Sequence, residues 1–349
     1  MKSLVKMVSV VAVLGAGCDS EPTAVVKDMA AASDASVAPD LVYTKVDRGR
    51  YIVNDVGACV FCHTPAKPDG SRDLDKALSG IDDFALVPDS VPDGGSVPDS
   101  GPTYSSLSSA NLTNDDTGLK GWTDDQIKNV WKMGLDKDNK PISAVMPWWI
   151  FHNMTEDDMD SVVAYLRTVK GVVHKQKETS GIFKMLPPAK AIDLATIPTP
   201  DSKYPNLASA TRGRYLAAQA GLCIDCHTPE NQNFGDPNWR PIDMMKVFSG
   251  GRMFYKEQLG LFQPAYPAKI YTANLTPDAT GIKGWSVADV VKAFKGGLDR
   301  QGKGVCAATH GATTSAYAGL TDSDANDLAN YVLSIPPIAN MRPADCMGP

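Results

Sequence analysis

The chain lacks several things that would assign it quickly to a class. No run of lysine and arginine breaks its surface: 34 basic residues stand against 40 acidic ones, a net charge of -6. That balance excludes a phosphate-binding footprint and hence a nucleic-acid partner. No apolar run approaches the ~20 residues needed to span a bilayer. Histidine is scarce, five in 349 residues, and cysteine numbers only seven. Disorder is not the default, because 43% hydrophobic residues suffice for ordinary cores and the length allows two or three domains.

Two of the five histidines follow immediately on paired cysteines. Cys59-Val60-Phe61-Cys62-His63 and Cys223-Ile224-Asp225-Cys226-His227 are both C-x-x-C-H. This spacing lets two thiols each join one vinyl of the same porphyrin, and the adjacent imidazole then meets the iron. A lone C-x-x-C would suit half a zinc site or a redox dithiol equally well. The histidine, present twice in matching surroundings, turns the reading to two covalently bound haem c groups. The surroundings are Arg48-Gly49-Arg50-Tyr51 before the first motif and Arg212-Gly213-Arg214-Tyr215 before the second, with Thr-Pro after each.

The match continues downstream. Asn111-Leu112-Thr113 with Thr117-Gly118-Leu119-Lys120-Gly121-Trp122 recurs as Asn274-Leu275-Thr276 with Thr280-Gly281-Ile282-Lys283-Gly284-Trp285. Such self-similarity signals a tandem architecture. Thr123 and Gln126 form a capping-box signature, and Thr155 with Asp158 and Thr321 with Asp324 mark the starts of last helices. Their apolar stripes, Met159, Val162, Val163, Leu166 and then Ala325, Leu328, Val332, Ile335, have the spacing of core-facing helices. The fold expected is all-α: domain 1 over residues 43–172 and domain 2 over 205–349. A Pro-containing linker over 173–204 joins them, semi-rigid through Pro187, Pro188, Pro198 and Pro200. Gly49 and Tyr51 are expected at close-packing positions of the first helix. The Val-Pro-Asp repeats between Leu86 and Pro102 read as a solvated loop.

The opposite face of each iron decides its chemistry. In the first domain Met146, in the Pro-stiffened Met146-Pro147, is the favoured ligand, with His152 as rival. In the second, the matching position is Thr309, which is not an iron ligand of choice. His310 beside it is taken as the ligand, and the Cys306 thiolate competes. Cys306 is also placed to form a disulfide with Cys346, which an exported protein would keep. Met244, Met245 and Met253 are assigned to the core and His174 to the surface. Trp122 and Trp285 are assigned to packing, with a propionate contact as the other option.

Residues 1–18 have the layout of a secretory signal: Lys2 and Lys6, an apolar stretch, then Cys18. Leu14-Gly15-Ala16-Gly17-Cys18 resembles a bacterial lipobox, although Gly15 replaces the usual branched residue. Lipid attachment at Cys18 is favoured over an ordinary cleaved signal, because residues 19–42 read as a flexible tether. The chain would then be a periplasmic lipoprotein whose only membrane association is its anchor.

Taken together, Arg-Gly-Arg-Tyr running into C-x-x-C-H-T-P, Asn-Leu-Thr, Thr-Gly-x-Lys-Gly-Trp and Met146-Pro147-Trp148 resemble class I cytochrome c domains. They are similar in particular to the multi-haem cytochrome c subunits of membrane-associated bacterial alcohol dehydrogenases. The resemblance implies small helical domains, His63 and Met146 on the first iron and His227 proximal on the second. It also implies electron relay between a redox donor and acceptor, with no substrate bond broken. The chain departs from the pattern at Thr309, where a Met is expected, and in having two domains rather than three. A catalytic second haem, peroxidase-like or thiosulfate dehydrogenase-like, is the alternative reading.

Overall fold

Helices lie where the periodicity puts them, and short strands fill two places where it is silent. The computed structural model describes residues 44–67, 71–88, 104–255, 269–305, 310 and 317–341. Cys18, Cys306, Thr309 and Cys346, the signal and tether segments, and residues 89–103 of the Val-Pro-Asp loop lie outside the described residues.

Helix α1 (Lys45–Tyr51) starts at Thr44, whose hydroxyl accepts the Asp47 amide at 3.1 Å, and runs on as one π-helical turn over Ile52–Val56. The following short helix α2 (Cys59–His63) holds the first cysteine pair. Strands β1 (Ala85–Pro88) and β2 (Tyr104–Leu107) pair antiparallel, with Ala85 opposite Leu107. Helix α3 (Asp124–Met133) opens with the capping box of Thr123 and Gln126 and ends at Gly134, whose φ of 66° closes the turn. A short helix α4 (Trp148–Phe151) leads to α5 (Glu156–Leu166), capped by Thr155. The same order returns with α6 (Leu207–Ala218), α7 (Cys223–Cys226), β3 (Met253–Tyr255), β4 (Lys269–Tyr271) and α8 (Val287–Gly296). It closes with α9 (Asp322–Ser334). The structure is mostly helical. Two short antiparallel pairs accompany the helices, with Val, Ile, Phe and Tyr content that suits a pleated, half-buried surface.

Each first helix crosses a last helix at a glycine. A Cβ on Gly49 would lie 1.8 Å from the Ser161 carbonyl oxygen, and one on Gly213 would lie 1.9 Å from that of Asp327. Gly49 therefore makes the close approach expected of it. Tyr51 does something else: its phenol reaches across to α9 and donates to Asp324 at 2.5 Å, while accepting the Thr321 amide at 3.2 Å. Tyr215 reciprocates by donating to Asp158 on α5 at 2.5 Å and accepting the Thr155 amide at 3.3 Å.

The segment after α5, read from its prolines as a spacer, is packed along its length. Ser180 exchanges hydrogen bonds with Ser106 of β2, and Phe183 is buried against Ala85 and Leu107. Ile192 donates its amide to Trp149 and Lys190 to Trp239, 2.9 Å each. The Arg214 guanidinium then gathers the carbonyls of Leu194, Ile197 and Pro198. The reason is apolar content: Phe183, Ala189, Ile192 and Ile197 are all buried, which a solvated spacer would not allow. One continuous core results, containing Ile52, Val56, Trp131 and Trp149 together with Ile224, Phe248, Leu328 and Tyr331. The assignment of Met245 to the core is corrected: its side chain is 86% exposed on a 3-10 turn, while Met244 beside it packs inward.

Candidate haem-binding site

The first C-x-x-C-H begins after Ala58, a non-glycine residue with φ 50°, so the chain enters α2 through a left-handed kink. His63 is buried, and its Nδ1–H donates to the Ala110 carbonyl at 2.7 Å. His227 does the same to the Ala273 carbonyl at 2.8 Å. A donor bond from Nδ1 fixes the ring and leaves the other nitrogen's lone pair for a metal, the arrangement that metal-bound imidazoles use. Burial also lowers the pKa of His63, favouring the neutral, ligating form.

The acceptor carbonyls are held by glycines. Gly80 (φ 88°) and Gly250 (φ 70°) receive no side chain without collision: a Cβ would fall 3.0 Å from the Ala110 carbonyl carbon and 2.3 Å from that of Ala273. The Gly80 amide also donates to the His63 carbonyl at 2.8 Å, and that of Gly250 to the His227 carbonyl at 2.7 Å. Thr64 and Thr228, each fully buried after its histidine, accept the amides of Leu78 and Phe248 at 3.0 Å. Asn111 and Asn274 complete the frame by donating to the Val172 and Ile338 carbonyls at 2.8 Å, tying down the chain beyond the last helices. The carbonyls and the two glycines were not among the residues singled out from sequence. Their one sequence signal is position, an alanine directly before each Asn-Leu-Thr and a Ser-Gly dipeptide after each cysteine motif.

Cys59, Cys62, Cys223 and Cys226 are free and half-buried. Burial pushes the thiols of Cys59, Cys62 and Cys223 up to about 12 and that of Cys226 higher still, so all are protonated at neutral pH. Buried thiols with raised pKa are poor candidates for a redox dithiol. Among the described residues no group of three His, Cys, Asp or Glu side chains is arranged to hold a metal ion.

His310 meets His227: their ring centroids lie 6.0 Å apart with planes 31° from parallel. Two imidazoles on one iron, with metal–nitrogen bonds of about 2 Å each, would hold their centroids roughly 6 Å apart. Nδ1 of His310 is buried and makes no hydrogen bond, an arrangement that costs about 1–3 kcal/mol unless something else engages the ring. Burial, and secondarily His227, push the His310 pKa down to about 3, so the ring is neutral. The residues therefore fit a haem group between these two imidazoles.

In the first set, Met146 is half-buried and packs against the core that also takes in Cys59 and Val60. His152 is exposed, and its Nδ1 donates to the Lys132 carbonyl at 2.6 Å, so it is engaged away from the core. His174 is half-buried rather than on the surface. Its Nδ1 donates to Ser79 at 2.6 Å, bracing the residue next to Gly80. Trp122 and Trp285 are half-buried against the core, in keeping with a packing role.

No family model matches the chain. Among curated proteins, the cytochrome c subunit of a quinone alcohol dehydrogenase from Gluconacetobacter polyoxogenes is 26% identical over 316 residues, covering 86% of this chain and 58% of the relative. The corresponding subunit from Gluconobacter oxydans is 24% identical over 89% of this chain and 59% of the relative. The fructose dehydrogenase cytochrome subunit of Gluconobacter japonicus matches more locally, 26% over 36% of the chain. The chain thus spans under three fifths of the length of the Gluconacetobacter relative, with its matches running through both cysteine motifs' halves of the sequence. By sequence, the chain is similar over most of its length to the cytochrome c subunits of quinone alcohol dehydrogenases.

Proposed function

We propose that this chain is an exported c-type cytochrome. Its two tandem haem domains, residues 43–172 and 205–349, would relay electrons between a donor, a membrane-associated dehydrogenase, and an acceptor protein. The observation that carries the reading is the proximal arrangement built twice: imidazole Nδ1 to an alanine carbonyl, beneath a pair of protonated thiols. Haem c, when bound, supplies a reversible one-electron iron couple.

The chain's own residues have definable parts in this. The thiols of Cys59 and Cys62, and of Cys223 and Cys226, would hold haem covalently, each adding its S–H across a vinyl group, which needs no oxidant. His63 and His227 would each hold the iron through the nitrogen not engaged by an alanine carbonyl. Met146 would be the sixth ligand in domain 1 and His310 in domain 2. Attachment of Cys18 to lipid and a Cys306–Cys346 disulfide belong to the same reading, since each suits an exported protein.

Met ligation raises a haem potential relative to bis-His ligation, so the second site should titrate at the lower potential. Electron flow would then run from domain 2 to domain 1. The test is EPR and potentiometry on the oxidised, haem-loaded protein beside Met146→Ala and His310→Ala. Each variant should convert one low-spin signal to high spin and leave the other untouched. Isopotential or reversed centres, or a His310→Ala spectrum identical to wild type, would overturn the assignment; mass spectrometry finding fewer than two haems per chain would overturn the whole reading.

A further inference from the structure

We infer that Tyr317 is a positioning residue for the His310 imidazole, setting the plane of that ring over the second centre. The inference rests on the ligand assignment proposed above and goes beyond it. The Tyr317 and His310 rings are stacked, with centroids 5.7 Å apart and planes 28° from parallel. His310 is held differently from the other two site histidines. His63 and His227 sit in segments pinned by the Gly80 and Gly250 amides on their own carbonyls, and each ring is held through Nδ1. The His310 ring has a backbone hydrogen bond at Phe294, and its Nδ1 has none.

Tyr317, by contrast, begins a turn fastened on several sides. The Leu320 amide donates to the Tyr317 carbonyl at 3.2 Å, and Leu320 is buried. Lys295 of α8 donates to the Leu320 carbonyl at 2.6 Å. The Thr321 amide donates to the Tyr51 phenol of the first set of elements, and a Cβ on Gly319 would collide with the Asp55 carboxylate of the same region. A flat aromatic face on a fixed turn restrains rotation of the imidazole laid against it. The plane of an axial imidazole governs the splitting of the iron d orbitals, so it is readable by EPR.

The test uses the full-length, haem-loaded protein with Tyr317→Leu, Tyr317→Met, Tyr317→Phe and His310→Ala. Tyr317→Leu is expected to retain two haems and a low-spin second centre but to shift that centre's g values alone. Exogenous imidazole should displace its sixth ligand about three- to tenfold faster, the factor worth one stacked ring pair. Tyr317→Phe, which keeps the face and removes the hydroxyl, should restore both properties. Tyr317→Met, of similar bulk without a ring, should behave as Tyr317→Leu if that variant fails to fold. Unaltered g values and exchange rates in the ring-less variants, with the second low-spin signal lost in His310→Ala, would overturn the Tyr317 role and leave the ligand assignment standing. An unaltered second signal in His310→Ala would overturn both.

Discussion

At the scale of single residues, the site divides into side chains that announce themselves and backbone groups that do not. Cysteine pairs followed by histidine are legible because the chemistry demands those side chains at that spacing. The Ala110 and Ala273 carbonyls are invisible to the same reading, since every residue has a carbonyl and only the fold selects one. Gly80 and Gly250 show the selection physically. Each occupies a left-handed conformation that favours glycine and lies against the carbonyl that orients a histidine. Gly80→Ala should therefore act at a distance from its own position. A methyl 2.6 Å from the Ser109 oxygen must push the 109–110 strand of chain outward, lengthening the Ala110–His63 hydrogen bond. We expect a loss of about 1–3 kcal/mol in stability, measurable by denaturant titration, together with a changed potential at the first centre only. A destabilised variant whose first centre keeps its wild-type potential would show that the glycine serves packing alone.

At the scale of elements, helices α1 and α6 were legible as helices but not in their partners. An apolar stripe says that a face is buried and is silent on what buries it. Tyr51 and Tyr215 follow the same Arg-Gly-Arg in sequence and each donates across to the other set's last helix, at Asp324 and Asp158. The arginines make the two ends unequal. Arg48 pairs bidentately with Asp158 at 2.8 Å, so that carboxylate serves both its own first helix and Tyr215. Arg212 pairs instead with Asp327, one turn further along α9, and leaves the Asp324 carboxylate to Tyr51, while the Asp324 amide donates to the capping Thr321 hydroxyl. Burial, with the adjoining carboxylate, raises the pKa of both phenols, so both remain donors at physiological pH. Tyr51→Phe and Tyr215→Phe should each cost about 1–3 kcal/mol, the range for a hydrogen bond to a charged acceptor. If the two contacts are parts of one clasp, the double variant will lose less than the sum of the singles, because the first loss already loosens the second. Strict additivity in a double-mutant cycle would make them independent bonds.

At the scale of the whole molecule, a tandem motif suggests two domains on a tether, and proline-rich residues 173–204 invite that picture. What the motif cannot convey is how much apolar surface the connecting segment buries. Phe183 fills a small cluster under the β1–β2 pair, Ile192 binds the backbone of Trp149, and the next residues are gathered by Arg214 of α6. The core itself is continuous from Ile52 to Ile335. Loosely joined domains permit separate melting. Here loss of one set of helices would break the Tyr51–Asp324 and Tyr215–Asp158 bonds and the close approaches of Gly57 to Ala220 and of Gly221 to Val56, so partial unfolding should be no more favourable than complete unfolding. Guanidinium unfolding of the full chain can be followed by tryptophan fluorescence, weighted to the first set through Trp122, Trp131, Trp148 and Trp149. Circular dichroism weighs both sets of helices. The two curves should coincide in midpoint and slope. Separated midpoints would mean that the shared core and the packed connection contribute too little to join the halves, and that the two haem domains fold as separate units.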